Sequence, residues 1–406
     1  MVMSSYARIL RAPSVASMIA AAVLARMPFG ILSLGLVLFV REQTGSFTVA
    51  GAVSGAYALA AAVFSPVQGR LFDRLGPTRV LVPFGIASGL GLIGLVVLGL
   101  AHAPAGVLVA SGALTGAVTP PISPALRVLL GDILADEAGL VTVAYALDAI
   151  LLEAVFILGP LFAAVMIALA SPAAAILAAV AFMTTGTLWF ALVPPARRWR
   201  GEVRERHPAG ALASPAMRTL LLATIPLGFC LGGLEVTMPA FGREQGSGAI
   251  AGVGLAVVSV GSVVGGLFYG SVAHRRPALR DWLRFMFVLP VCFGVLAAAH
   301  SVVAMLLLAP LAGVALAPLT TVENALVPGA APEGTLAEAF TWVITATVFG
   351  VAGGSALAGV LVDAAGWRWA QLAVSALGLL GALIAWARRD TLARAGAYAV
   401  VAQAPG

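Results

Sequence analysis

Charged residues are what this sequence has least of. Asp, Glu, Lys and Arg together make up 10% of its 406 residues, against about 25% in soluble domains, which excludes an ordinary water-soluble protein. Lysine is absent altogether, and all 23 basic side chains are arginine. We read this as codon bias, so the net charge of +6 says little about partners. No basic tract is interleaved with aromatics, which argues against nucleic-acid binding. The two cysteines, Cys230 and Cys292, fall inside apolar runs; with no C-x-x-C or histidine cluster, neither a disulfide framework nor a metal centre is expected. No nucleophile with its base and no phosphate loop stands out, so the sequence points to neither an enzyme nor a cofactor.

What is present in abundance is apolar length. A helix needs about 20 apolar residues to cross the hydrocarbon, and twelve stretches qualify. They are Ser14 to Val40, Phe47 to Gln68, Thr78 to Ala101, Pro104 to Leu126, Gly139 to Leu169 and Pro172 to Val193, then Met217 to Phe241, Ala249 to Ala273, Trp282 to His300, Ser301 to Leu326, Leu336 to Val362 and Trp367 to Ala387. The first follows Arg8 and Arg11 as a leader would, but it carries Arg26 in its middle and continues to Val40, so it reads as a span. With the N-terminus inside, 19 arginines fall on the cytoplasmic side and 3 outside. By the positive-inside rule both termini are then expected in the cytoplasm; the expected location is the cell's inner (plasma) membrane. The longest interruption, PPARRWRGEVRERHPAGALASP, divides the sequence into an N-terminal six-helix bundle (1–193), a cytoplasmic linker (194–214) and a C-terminal six-helix bundle (215–406) with a short tail.

One polar stretch between the second and third spans holds four charges in eleven residues, GRLFDRLGPTR from Gly69 to Arg79. In Gly69, Leu71, Asp73, Arg74, Gly76 and Arg79 it resembles the G-x-L-x-D-R-x-G-x-R signature of major facilitator superfamily transporters. A shift of 201 residues lays Gly69 on Gly270, Asp73 on His274 and Arg74 on Arg275, so the loop has a twin that has lost its acid. Such a parallel repeat is expected of that superfamily. Gly159 and Pro160 resemble the core of the fifth-helix signature of its proton-driven exporters, with Ala163 and Ala164 in place of downstream glycines. The arginine that many of those exporters carry early in the fourth helix is missing: Ser111 stands there, and only Gly116 is kept. The resemblance implies an all-α integral membrane protein, two six-helix bundles related by a pseudo-two-fold, with alternating access and a monomeric state. It also implies a cytoplasmic gate in which Asp73 docks near the eleventh helix, with Arg74 or Arg79 near Glu338, Asp132 or Glu137.

An ionisable residue at the centre of a span costs about 2.5–3.5 kcal/mol and ordinarily faces a cavity or a partner. Arg26, Asp148, Glu153, Glu235 and Glu323 qualify as substrate or proton-coupling residues. Arg26 is either half of a buried ion pair between the first and fifth helices or a group that senses substrate. Asp148 and Glu153, five residues apart, are about 140° apart around their helix, so one alone is central, and the depth of Glu153 favours it. Glu235, with no base nearby in sequence, is the proton carrier or the counter-charge for a cation; Glu323 reads as a gate. Thr335 and Glu338 have the spacing of a capping box. The glycine pairs Gly51/Gly55, Gly261/Gly265 and Gly350/Gly354 have the spacing of close helix packing, and the resemblance implies that they lie on surfaces that rock between halves. Phe29, Tyr57, Phe156, Phe229 and Trp342 are candidates for an apolar cavity lining. The expected function is secondary transport, proton-coupled export of small amphiphilic or cationic organic molecules across the lipid bilayer. The alternatives are a symporter or facilitator importing a metabolite, or a non-transporting receptor or scaffold on the same fold.

Overall fold

In lipid a chain can satisfy its backbone polar groups only internally, through helices or closed barrels, and this chain takes the first course. The computed structural model describes residues 2–135, 138–199, 209–246, 249–271 and 277–402, and among them no strand occurs. The helices are α1 (Val2–Arg11), α2 (Val15–Thr44), α3 (Phe47–Leu75), α4 (Pro77–Leu100), α5 (Ala105–Ala117), α6 (Ile122–Ile133), α7 (Ala138–Leu169), α8 (Pro172–Leu192) and α9 (Pro194–Arg198). They continue as α10 (Pro215–Glu244), α11 (Ala249–Ser271), α12 (Ala278–Val295), α13 (Val302–Gly313), α14 (Leu316–Ala330), α15 (Leu336–Ala365), α16 (Trp367–Ala387) and α17 (Arg389–Ala402). Twelve segments are long and apolar enough to cross a membrane, and they correspond to the twelve expected spans.

Two of the spans are broken. The fourth splits into α5 and α6 at Val118–Pro121, the tenth into α13 and α14 at Val314–Ala315. The sequences at the breaks, GAVTPPIS and GVALAPLT, match at a shift of 197 residues in Gly116/Gly313, Pro121/Pro318 and Ser123/Thr320, a second trace of the repeat. The first break also corrects an expectation. The fourth span does not stop at Leu126 but runs to Ile133, so Arg127 is not a loop residue; it is buried within α6.

The chain forms two compact units, one of residues 1–6, 136–150 and 207–406, the other of 7–135 and 151–206. This partition gives the first half of α7 to the former unit, where the expected division at 193 kept the whole helix with the N-terminal spans. Within that unit Tyr145 meets the Phe340 ring edge-on at 6.1 Å, and Ile150 lies against Gly266 of α11. The expected linker appears as α9 and a 3-10 turn, Gly210–Ala213, while its residues 200–208 lie outside the described residues. So does the heart of the twin loop, with His274 and Arg275.

Close backbone approach organises both units. In the second, α2 crosses α7 where a Cβ on Gly30 would come to 2.6 Å from the Val155 carbonyl oxygen and 2.8 Å from Gly159 Cα. Gly159 is therefore a contact glycine, and Pro160 sits inside α7 without ending it. In the first unit α10 crosses α15 in the same way, Gly228 against Gly350 at 2.8 Å. The expected rocking surfaces are revised accordingly. Gly350 and Gly354 pack on α10, and Gly261 and Gly265 on the backbone of α13 and its exit, so both pairs are used within one unit, while Gly51 and Gly55 have nothing within 4 Å. Equal spacing in sequence did not mean equal rotation of the helices that carry it.

Gly30→Ala is expected to cost about 1–3 kcal/mol through overpacking, whereas Gly51→Ala is expected to stay within about 0.5 kcal/mol. Thermal unfolding of both purified variants in one detergent measures this, and equal shifts would contradict the crossing as described.

Candidate functional site

The signature segment is mostly helix. Gly69 to Arg74 form the last turns of α3, Gly76 alone makes the reversal, and Pro77 opens α4. Gly76 has φ +85°, a value L side chains rarely adopt, and its N–H donates to the Phe72 carbonyl at 2.8 Å. Asp73 and Gly69 are buried, Arg74 and Arg79 exposed. Two neighbours hold the segment in place within the second unit. Gln68 Nε2 donates to the Ala117 carbonyl at the end of α5, 2.6 Å. On the other side Thr78 Oγ1 donates to the Ala191 carbonyl at 2.9 Å, and the Phe72 and Trp199 rings lie 5.3 Å apart. Trp199 was not singled out from the sequence, where the segment read only as a cytoplasmic linker. The signal was a tryptophan among arginines at 197, 198 and 200, an exception to the expectation that no basic tract holds an aromatic.

Glu338 is buried at the start of α15, but the capping box does not form. The Thr335 hydroxyl turns back to the Pro332 carbonyl at 2.7 Å and makes no cap bond. The Glu338 carboxylate instead accepts from Trp342 Nε1 at 3.3 Å and lies where a Cβ on Gly210 would stand. Gly210 has φ +54°, so the incoming end of the linker reaches α15 only because that residue lacks a side chain. Among the described residues neither Arg74 nor Arg79 forms an ion pair, and Glu137 lies outside them.

In the second unit Arg26 is fully buried (0%), its Nε donating to the Ala22 carbonyl at 3.1 Å. It lies beside Ala25, where Gly186 of α8 packs, and one turn before the Gly30 crossing. Glu153 is half-buried and, six residues before Gly159, stands about 120° from the face of α7 that meets α2. Asp148 is the more enclosed of the two acids, at 1% exposure, in the half of α7 that belongs to the other unit. Arg127 is a second arginine within the spans, about 9 Å from the end of α6 at 1.5 Å per residue.

In the first unit Glu323 is buried with Thr321 and Asn324 and accepts a hydrogen bond from the Thr224 hydroxyl of α10. Glu235 follows Thr224 by eleven residues, about 20° past three full turns, and so shares its face about 16 Å along the helix. The opposite side of α10 is given to α16, through Thr237 Oγ1 to Gln371 Oε1 at 2.6 Å and Cys230 Sγ to the Val374 carbonyl at 3.3 Å. Glu235 is exposed, and thus points away from that packed side. Of the aromatics, Tyr57 accepts from Thr119 Oγ1 at 3.0 Å and Phe229 packs on Gly353. Phe156 is exposed and Phe29 half-buried. Among the described residues no three His, Cys, Asp or Glu side chains cluster as a metal site would require.

Twelve membrane-length segments with ionisable side chains set inside them define a polytopic membrane protein. The chain belongs to the Major Facilitator Superfamily, whose family model matches residues 18–297 and 220–398. No curated protein sequence matches it. Solved structures share the fold at low identity. A bacterial homologue of the iron transporter ferroportin, in an outward-facing state, is 13% identical with a TM-score of 0.76, over 92% of this chain and 99% of that one. The human organic anion transporter MFSD10 (TETRAN) is 16% identical with a TM-score of 0.71, over 91% and 98%. The E. coli fucose:proton symporter FucP is 13% identical with a TM-score of 0.68, over 92% and 99%.

The Gly210–Glu338 contact generates a double-mutant test. Gly210→Ala is expected to cost about 1–3 kcal/mol, and less in a Glu338→Ala background, where the carboxylate no longer occupies the space. Equal unfolding-temperature losses in the two backgrounds would show that the carboxylate is not what Gly210 accommodates.

Proposed function

We propose that the protein is a proton-coupled exporter of small amphiphilic or cationic organic molecules, working by alternating access in a cell's inner membrane with both termini cytoplasmic. Its working parts are the halves 1–193 and 215–406, joined by the linker 194–214 and acting as a monomer. The observation that carries this reading is the balance of charge inside the spans. Of the ionisable groups well inside the spans, four are carboxylates, Asp148 and Glu323 buried, Glu153 half-buried and Glu235 exposed, and two are arginines, Arg26 and Arg127, both buried. An acidic excess at such depth favours a cation, whether proton or substrate, over an anion.

The roles divide by environment. Glu235, exposed on the face of α10 away from α16, is the group that exchanges protons or meets the cation. Glu323, held by Thr224, and Asp148 are the enclosed acids that respond to it; Arg26 and Glu153 form the counterpart in the second unit. Gly159 and Pro160 shape α7 where it bears on α2. Gly69, Asp73, Arg74, Gly76, Arg79 and Glu338 belong to a cytoplasmic gate, with Asp73 as its latch. The organic anion transporter noted above shares the fold alone, and the acidic spans weigh against an anionic substrate here.

Proteoliposomes with an imposed pH gradient and an internal pH dye, screened over cationic, neutral and anionic organics, test the reading. The wild type is expected to show substrate-dependent proton flux, reduced at least about 10-fold in Glu235→Gln, the equivalent of ~1.4 kcal/mol. Absence of substrate-dependent proton flux for every compound would overturn the antiport, and an unaffected Glu235→Gln beside an inactive Glu153→Gln would move the proton site to α7.

A further inference from the structure

Beside the hinge of the signature segment the second unit has a half-open cavity of about 160 Å³, lined by Leu75, Gly76, Thr78, Arg79, Arg197 and Trp199 among others. None of the acids assigned to transport lines it. We infer that it binds a phosphate-bearing anion, and that its position favours the headgroup of an anionic phospholipid.

The charge argument comes first. Arg79 and Arg197 come from separate chain segments, both are exposed, and among the described residues neither has a carboxylate partner. Two guanidinium groups on one cavity repel each other, no carboxylate among the described residues offsets them, and a phosphate between them removes that cost while offering its oxygens to their planar donors. The first turn of α4, which forms one wall, adds the positive end of a 24-residue helix in the same sense.

Second, the walls are built before any ligand arrives. The Thr78 hydroxyl is tied to the Ala191 carbonyl at 2.9 Å and to the Ala196 carbonyl at 3.4 Å. Gly76 packs 3.4 Å from the Trp199 carbonyl, measured from an added Cβ, and the Trp199 ring is fixed against Phe72.

Third, the depth is that of a headgroup. Three apolar helices reach their ends here, α3 at Leu75, α4 at Pro77 and α8 at Leu192. Leu75 and Leu192 are 47% and 59% exposed beside the cavity, an apolar flank for an acyl chain, and a tryptophan marks the interface. Exposed arginines near lipid are ordinarily diffuse anchors. Arg198 supplies the contrast, since it is exposed on the same short helix as Arg197 but does not line the cavity.

The test measures the unfolding temperature of the purified full-length protein in detergent during titration with phosphatidylglycerol, phosphatidylcholine or inorganic phosphate. Phosphatidylglycerol is expected to stabilise saturably and phosphatidylcholine not. Arg79→Gln combined with Arg197→Gln is expected to raise the half-saturating concentration about 30-fold, with Arg198→Gln unchanged. Should the double variant fail to fold, Arg197→Gln alone is expected to give about 5-fold. Stabilisation by inorganic phosphate alone, abolished by the same substitutions and not exceeded by lipid, would keep the anion site and discard the lipid as its source. No selective stabilisation, or an Arg198→Gln effect equal to that of Arg197→Gln, would overturn the proposal.

Discussion

Between helices in lipid there is no water to expel, so apolar side chains gain nothing from hiding against one another. What holds such a bundle is how closely the backbones come together, and each unit here has several crossings of that kind. In the second unit α2 meets α7 at Gly30 and Gly159, and α5 meets α3 at Gly112 and Gly116; in the first α10 meets α15 at Gly228 and Gly350, and α11 meets α13 at Gly261 and Gly313. Further glycines then fix the outer helices to these centres, as Gly186 of α8 fits against Ala25 of α2 and Gly233 of α10 against Val374 of α16. The helix gripped most tightly in each unit is thereby fixed in rotation as well as position. That matters because α2 and α10 are also the helices that carry polar groups at depth.

A charged side chain inside a span is tolerated when its surroundings are set in advance, since a mobile one would draw water or lose its partner. Arg26 stands one turn from the Gly30 crossing, with its Nε bound to its own helix, so its direction follows from the crossing. On α10 the side of Thr237 and Cys230 is closed by α16, while Glu235, seven residues past Gly228 and so about 20° from it around the helix, stands in line with the α15 crossing. The direction of both charged groups is thus tied to a glycine on their own helix, Gly30 for Arg26 and Gly228 for Glu235.

Much of this was legible from residues alone. Twelve apolar runs, the arginine bias and the signature around Asp73 lead to the fold, because length and polarity act on each segment by itself. What was not legible depends on rotation and on breaks. Gly51/Gly55 and Gly350/Gly354 are indistinguishable in sequence, yet one pair faces open space and the other a backbone, since the register of the whole bundle decides. Arg127 looked like a loop residue because a 12-residue apolar helix after Pro120 and Pro121 is too short to be read as part of a span. Thr335 and Glu338 had the right spacing for a capping box, but the competing partners, Pro332 and Trp342, were closer to hand.

The linker shows the same limit and leads to a different view of the signature segment. By composition it is a basic tether, and composition assigns a tether no structure. Yet each of its described ends is docked on a helix terminus within its own unit, the outgoing end by Trp199 against Phe72 and Gly76, the incoming end by Gly210 against Glu338. Both joints depend on a glycine at positive φ, Gly76 at +85° and Gly210 at +54°, and they differ in chemistry: one is an aromatic stack, the other a buried carboxylate. The Gly69–Arg79 segment is therefore packed against Trp199, so the surroundings of its turn are set by a residue 120 positions beyond Arg79 in the chain.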